Sequence, residues 1–230
     1  MDTALKIDFV SDVSCPWCAI GLHALEHALE RVAPDGITAT IRLQPFELNP
    51  QMAPEGEDVV EHIGRKYGLR PEQVAANTEG IRQRGAEVGF TFGEGRRRIY
   101  NTFDAHRLLH WAGTQSPAAQ LALKHALFTA YFTAGQDVSD PAVLQRCASQ
   151  AGLDTAAAAA VLASDAHADA VRADEALWRE REVHAVPAVV VAGRYLIQGG
   201  QPAEAFERAL RKIAQREAEA AAQAGPDTPA

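Results

Sequence analysis

Two cysteines three residues apart, in Ser14-Cys15-Pro16-Trp17-Cys18, carry the clearest chemistry in the sequence. The strand-like run Leu5 to Val10 precedes them and a helical pattern begins at Trp17, so the pair sits where a strand joins a helix. A thiol at a helix N-terminus meets unpaired N–H groups and the positive end of the helix dipole, both of which favour thiolate over thiol. Cys15 is therefore the expected nucleophile. Pro16 fits the first helical turn, where its missing N–H costs nothing, and it stiffens the loop that holds Cys18 beside Cys15. Cys18 is the expected resolving thiol. The same spacing also serves as half of a zinc site. Structural zinc takes four ligands, usually from two such pairs or from a pair plus closely spaced histidines. Only Cys147 remains, far along the chain, so His23 and His27 on the following helix are the residues that would complete a mixed site. The pattern favours redox exchange, with no metal.

The 230 residues, 47% hydrophobic, suffice for one large domain or a small domain carrying an insertion. A net charge of −8 argues against general binding to nucleic acid or an anionic membrane, which need a basic face. No apolar run approaches the roughly 20 residues of a membrane span. The first residues, with Asp2 and Asp8 around a short strand, lack the basic start and long apolar core of a secretory signal. A cytoplasmic location is expected. Structural disulfides are rare there, so a spaced pair of cysteines points to transient chemistry.

The elements around the pair follow from periodicity. Leu5 to Asp12 alternates as a strand, Trp17 to Val32 has apolar residues at helical spacing, and Ile37 to Phe46 alternates again. That is a strand–helix–strand unit of a parallel pair. Turn residues follow Glu47, and helices are predicted over Asp58 to Tyr67, Pro71 to Val88, Thr102 to Trp111, Pro117 to Phe132, Pro141 to Ala151, Thr155 to Leu162 and Ala166 to Glu182. Strand character returns at Val183 and runs to Val191, a Gly193-Arg194 turn leads into Tyr195 to Ile197, and a last amphipathic helix spans Ala203 to about Gln215. Residues 217–230 are expected to fray.

In this order the elements resemble the thioredoxin superfamily in its DsbA-like form, and more narrowly its FrnE-type members. The resemblance rests on Asp12-Val13-Ser14-Cys15-Pro16-Trp17-Cys18, Phe46-Glu47-Leu48-Asn49-Pro50, Asn101-Thr102 with Ala105-His106-Arg107-Leu108, Val186-Pro187 and Gly199-Gly200-Gln201. It implies an α/β thioredoxin fold with a large all-helical insertion domain. The fold would be formed by residues 1–46 and 184–216, the insertion by 47–183, and the tail by 217–230. It also implies that Pro187 is a cis-proline facing the two cysteines, with the backbone of Val186 free to pair with a substrate chain. Oxidising periplasmic relatives have a histidine after the proline. Trp17 stands there in this chain and supplies no positive charge to Cys15, which implies a less oxidising disulfide and leaves reductase, isomerase or stress-induced oxidant as directions.

Other residues carry two readings each. Asn101 reads as a helix cap, and with Arg107 it matches the cleft-lining helix of relatives that bind glutathione. His106 reads as a structural histidine or as a proton shuttle to Cys18. Arg96-Arg97-Arg98 reads as a solvated loop or as a site for the glutathione carboxylates. Glu47, by analogy with the superfamily, would accept the Cys18 proton, and Cys147 reads as a buried, inert thiol.

The expected reaction is thiol–disulfide exchange on protein or small-molecule substrates, without a resident cofactor, with glutathione as a candidate co-substrate and with a monomer or homodimer as the working form. A glutathione-dependent isomerase or transferase of the kappa-class or hydroxychromene-carboxylate type is the alternative within the same architecture. Those relatives generally have serine in place of Cys15 and lack the second cysteine. A non-catalytic, chaperone-like binding module is the third reading.

Overall fold

The computed structural model describes residues 3–224. Strand β1 (Thr3–Ser11) leads into helix α1 (Pro16–Val32). A short 3₁₀ turn at Ala33–Asp35 then reverses the chain into β2 (Ile37–Pro45), parallel to β1 with Thr3 opposite Ile37 and Ser11 opposite Pro45. Gly36 makes that reversal at φ 76°, a backbone region that costs glycine nothing. Far along the chain, β5 (Ala188–Val191) pairs antiparallel with the other edge of β1, and β6 (Tyr195–Gln198) folds back on β5, giving the sheet order β2-β1-β5-β6.

Alternation along β1 separates two apolar layers. Leu5, Ile7 and Phe9 join the main core with α1 and with α9 (Ala203–Ala224), which packs along α1 through Phe206, Leu210 and Ile213. Val10 faces the other way into a smaller cluster with Val183, Ala188, Val190 and Trp178, the last from α8 (Ala168–Glu180). The strand is covered on both faces.

Between β2 and α8 the chain forms β3 (Glu57–Asp58), α2 (Val59–Tyr67), α3 (Pro71–Glu87), β4 (Arg98–Ile99), α4 (Phe103–Gln115), α5 (Pro117–Phe128), α6 (Pro141–Gln150) and α7 (Thr155–Leu162). Local chemistry sets these starts. Proline occupies the first turn of α1, α3, α5 and α6. Side chains of Asp58, Ser116, Asp140 and Asp154 accept the first free N–H groups of α2, α5, α6 and α7. Helices α4 and α5 pack on β2, and the buried Gln120 amide makes the joint: its Oε1 accepts from Leu43 N at 2.9 Å, and its Nε2 donates to Leu43 O at 3.1 Å and Leu109 O at 3.2 Å.

The structure departs from the sequence-based expectation in four places. The segment after β2 is not all-helical, because β3 and β4 form a two-residue ladder, Glu57 with Ile99 and Asp58 with Arg98. Arg96 and Arg97 lie in a loop, and Arg97 and Arg98 are exposed, in keeping with the solvated-loop reading of the arginine run. Arg98 donates to the carbonyls of Glu55 and Gly56, at 2.9 and 2.8 Å, and Arg96 lies over the rings of Tyr131 and Phe132, at 4.9 and 5.2 Å, leaving Arg97 on the surface. The last turn of the expected Pro117 to Phe132 helix opens into a π-helical turn, Thr129–Thr133. Strand β5 begins at Ala188, five residues later than the apolar run suggested, and α9 continues past Gln215 to Ala224, as its alanine, glutamate and glutamine content favours. Of the expected tail, residues 225–230 lie outside the described residues.

Candidate active site

The end of β1 and the start of α1 place the two cysteines. Cys15 is the N-cap of α1, with extended backbone (φ −90°, ψ 113°), and its carbonyl accepts from Cys18 N at 3.1 Å and Ala19 N at 3.4 Å. Pro16 follows at the first helical position, where no N–H is missed. Cys15 and Cys18 are both buried free thiols. The Cys15 thiol donates to the carbonyl of Val186 at 3.7 Å, and the Val186–Pro187 peptide bond is cis. Trp17 is 41% exposed, a large ring open to solvent beside the pair.

Two glycines allow this face to close. A Cβ on Gly21 would lie 3.1 Å from Pro187 Cγ and 3.2 Å from Gly200 Cα, and one on Gly200 would lie 2.9 Å from the Trp17 carbonyl oxygen. The Gly199-Gly200-Gln201 element thus has a packing role. It lets the turn after β6 rest on the first turns of α1.

Behind the thiols lies a buried polar group. Asp12 Oδ1 accepts from Ser14 N at 3.1 Å, and Oδ2 accepts from Ser14 Oγ at 3.0 Å and from Leu48 N at 2.6 Å. His106, on α4, brings Nε2 to 3.5 Å from Asp12 Oδ1. Burial alone would raise the Asp12 carboxyl, but His106 and the amides of Leu48 and Ser14 outweigh it and hold the carboxyl at about 2. Lys124, on α5, is 1% exposed. Burial pulls its ammonium down to about 8 against the opposing attraction of Cys18, Asp12 and Cys15. Its Nζ stands 5.0 Å from the Phe128 ring centre, and with His106 it lines a cavity of about 10 Å³, room for about one water. The Cys18 thiol is pushed up by burial and by its neighbour Cys15, while the charge of Lys124 works in the other direction.

The remaining sequence candidates are placed differently. Glu47 is buried, but its carboxylate binds the Arg172 guanidinium, which also binds buried Glu175 at 2.9 Å and lies 3.8 Å from the Phe103 ring centre. Burial raises the Glu47 carboxyl, with Arg172 opposing. Its polar contacts are with Arg172, and the groups felt by Cys18 are Cys15, Lys124 and Asp12. Arg107 does not line the cleft: it is buried and donates to the carbonyls of Ala166, Val161 and Ser164 and to Asp104, tying α4 to the end of α7 and the turn that follows it. Asn101 accepts from Phe103 N at 2.9 Å, a capping contact at the start of α4. Cys147 is buried, and burial pushes its thiol up to about 11. His23 does not join the cysteines, and among the described residues no group of three metal-ligating side chains forms around them.

Sequence reasoning missed Lys124 and gave Asp12 no role. A signal existed for both. Gln120, Leu123, Lys124, Leu127 and Phe128 recur at helical spacing and form the buried face of α5, so the lysine sits on that face. Asp12 precedes Ser14 by two residues, the spacing at which an aspartate bonds the backbone N–H ahead of it.

Asp12 also yields a stability expectation. Its carboxyl is depressed in the folded chain, so its contribution is complete above the ordinary value of 3.8 and is lost as pH falls through about 2. The difference corresponds to about 2 kcal/mol. Denaturant unfolding followed between pH 5 and 2 should show that loss in the parent protein, and Asp12→Asn should flatten the dependence; parallel curves would contradict it.

The fold and the site have counterparts among known proteins. The DSBA-like thioredoxin domain matches residues 6–211. The structure described as a probable DsbA oxidoreductase from Streptomyces coelicolor is 34% identical, with a TM-score of 0.83 over 93% of this chain and 91% of that one. Two more distant structures share the fold. A 2-hydroxychromene-2-carboxylate isomerase is 19% identical (TM-score 0.65; 93% of this chain and 98% of that one). The cytosolic disulfide reductase DsbM from Pseudomonas aeruginosa, in a structure with glutathione, is 16% identical (TM-score 0.62; 91% and 99%). With a strand-to-helix cysteine pair, a facing Val186-Pro187 and a matching domain over most of its length, the chain belongs to the DsbA-like thioredoxin family.

Proposed function

We propose that the protein is a thiol–disulfide oxidoreductase using Cys15 as nucleophile and Cys18 as resolving thiol. The observation that carries this reading is the position of Cys15, at the N-cap of α1 and 3.7 Å from the Val186 carbonyl, with Cys18 one turn inside beside the charge of Lys124. In the reductive direction the Cys15 thiolate attacks one sulfur of a substrate disulfide. A Cys15–substrate disulfide forms and the other substrate sulfur leaves as thiolate. Cys18 then loses its proton and attacks Cys15 Sγ, the second substrate thiolate departs, and a Cys15–Cys18 disulfide forms, the two electrons of the protein dithiol having passed to the substrate, now a pair of thiols. A second dithiol or two molecules of a monothiol such as glutathione restore the pair. The reverse sequence oxidises a substrate dithiol.

Each neighbour has a part. Val186 offers backbone for a substrate segment to pair beside the thiols, and Trp17 offers an exposed apolar ring to the same segment. Lys124 eases ionisation of Cys18, which burial and Cys15 otherwise oppose. The chemistry is carried by the two thiols and needs no resident cofactor. Glutathione as co-substrate is supported by the glutathione-bound DsbM structure, which shares this fold. The isomerase reading is supported by likeness to the hydroxychromene-carboxylate enzyme and gives Cys18 no task; the binding-module reading gives neither thiol one.

Trapping separates these readings. Cys18→Ser should accumulate a mixed disulfide on Cys15 with a disulfide-bonded protein substrate, seen as a dithiothreitol-sensitive band. Cys15→Ser should abolish both the band and the reductase activity. Retained activity in Cys15→Ser would sink the proposal.

Lys124 gives a second expectation. The attacking species is the Cys18 thiolate, so the rate of mixed-disulfide resolution rises with pH until that thiol is ionised. Removing the cation pushes the thiol further up, so Lys124→Met should move the rising limb to higher pH and slow resolution at pH 7 by about tenfold or more. Lys124→Arg, which keeps the charge, should lie closer to the parent. Stopped-flow pH profiles that superimpose for Lys124→Met and the parent would contradict the assignment.

A further inference from the structure

A second cluster of potential ligands lies further along α1, apart from the thiols. His23 and Glu26, three residues apart, share one face of α1, and His125 comes from α5. One ligand atom from each of the three lies within 4.8 Å of those of the other two. His125 Nε2 stands 2.8 Å from Glu26 Oε1. His23 Nδ1 stands 2.9 Å from the Ala19 carbonyl, a contact in which the ring must donate, so the lone pair of the neutral ring lies on Nε2. That outer hydrogen bond orients the imidazole as metal-bound histidines are oriented in general. The His23 ring is also held in place by Phe90, at 5.0 Å, and by His125, edge-on at 4.9 Å.

The donor set is specific in its chemistry. Two imidazole nitrogens and one carboxylate oxygen suit zinc and its neighbours in the first transition series, and do not suit calcium or magnesium, which take oxygen shells. Tetrahedral bonds of about 2.0–2.1 Å put ligand atoms about 3.3 Å apart. The Glu26–His125 contact would open slightly and the wider separations would narrow, changes within reach of side-chain rotation. A partly exposed Glu26–His125 pair by itself adds little to stability, and it leaves the orientation of His23 without a use.

We propose that His23, Glu26 and His125 bind one divalent transition-metal ion of the zinc class, with the fourth position open to water. The ion joins α1, which begins at the cysteine pair, to α5, which carries Lys124 next to His125. It takes no part in the exchange chemistry and clamps the helix of the thiols to the helix of their buried cation.

The test uses the full chain carrying Cys15→Ser and Cys18→Ser, so that the active-site thiolates cannot bind metal; Cys147, buried with its thiol at about 11, is a poor competitor. Cobalt(II) chloride is titrated and followed by visible absorption, then displaced with zinc chloride. One cobalt ion per chain, with d–d bands of a low-coordinate site lost to zinc, is expected. His23→Gln and His125→Gln should each weaken binding about 100-fold or more, beyond the usual loss of an outer-shell partner, and Glu26→Gln should weaken it while keeping a hydrogen bond to His125. Zinc should raise the melting temperature of the parent and not of the double histidine variant, whose metal-free melting temperature reports that it is folded. Equal cobalt affinity in parent and double variant, absence of cobalt binding in the parent, or binding that disappears with the two cysteines alone would each overturn the site.

Discussion

Asp12 is an ionised carboxylate in a place water does not reach, and much of the molecule is arranged around keeping it so. Desolvation opposes the charge, and the opposing contacts come from four directions: Ser14 just after β1, Leu48 after β2, His106 from α4, and the charge of Lys124 from α5. These partners belong to both halves of the architecture, so the carboxylate can be accommodated only when the helices following β2 are docked on the sheet. Lys124 has the converse need. Its ammonium tolerates burial because Cys18, Asp12 and Cys15 surround it with negative or ionisable groups.

That arrangement gives the two thiols unlike surroundings. Cys15 faces the Val186 carbonyl at the mouth of the site, while Cys18 lies deeper, where burial favours the protonated form and Lys124 works against it. In the proposed exchange the first thiol meets the substrate and the second resolves the mixed disulfide. The shape of the mouth depends on small residues, since Gly21 and Gly200 bring Pro187, Trp17 and the turn after β6 within van der Waals distance of one another.

The resemblance and the local signals made most of the fold legible. The parallel β1–β2 pair, the β5–β6 hairpin, the helix starts at Pro16, Pro71, Pro117 and Pro141, and the Cys15–Cys18 pair before α1 all rest on short-range signals. Contacts between distant segments were less legible. Lys124 lies in an apolar stripe and reads as core, and only the docking of α5 behind the cysteines gives it partners. Arg107 looks available on its helix, yet its guanidinium is consumed by carbonyls more than fifty residues away. The β3–β4 ladder, two residues on each side, is too short for alternation to show. Glu47 follows β2 as the family pattern suggested, but Arg172 from α8 claims its carboxylate.

Whether Cys15 and Cys18 form one reversible two-electron couple is measured by their redox state at equilibrium in glutathione buffers of graded composition, read by thiol alkylation and intact mass. A single transition is expected in which both thiols are lost together, with no mass added by glutathione and with Cys147 remaining alkylatable after denaturation. A protein that keeps both thiols across the series, or that gains one glutathione on Cys15 without closing the pair, would contradict it.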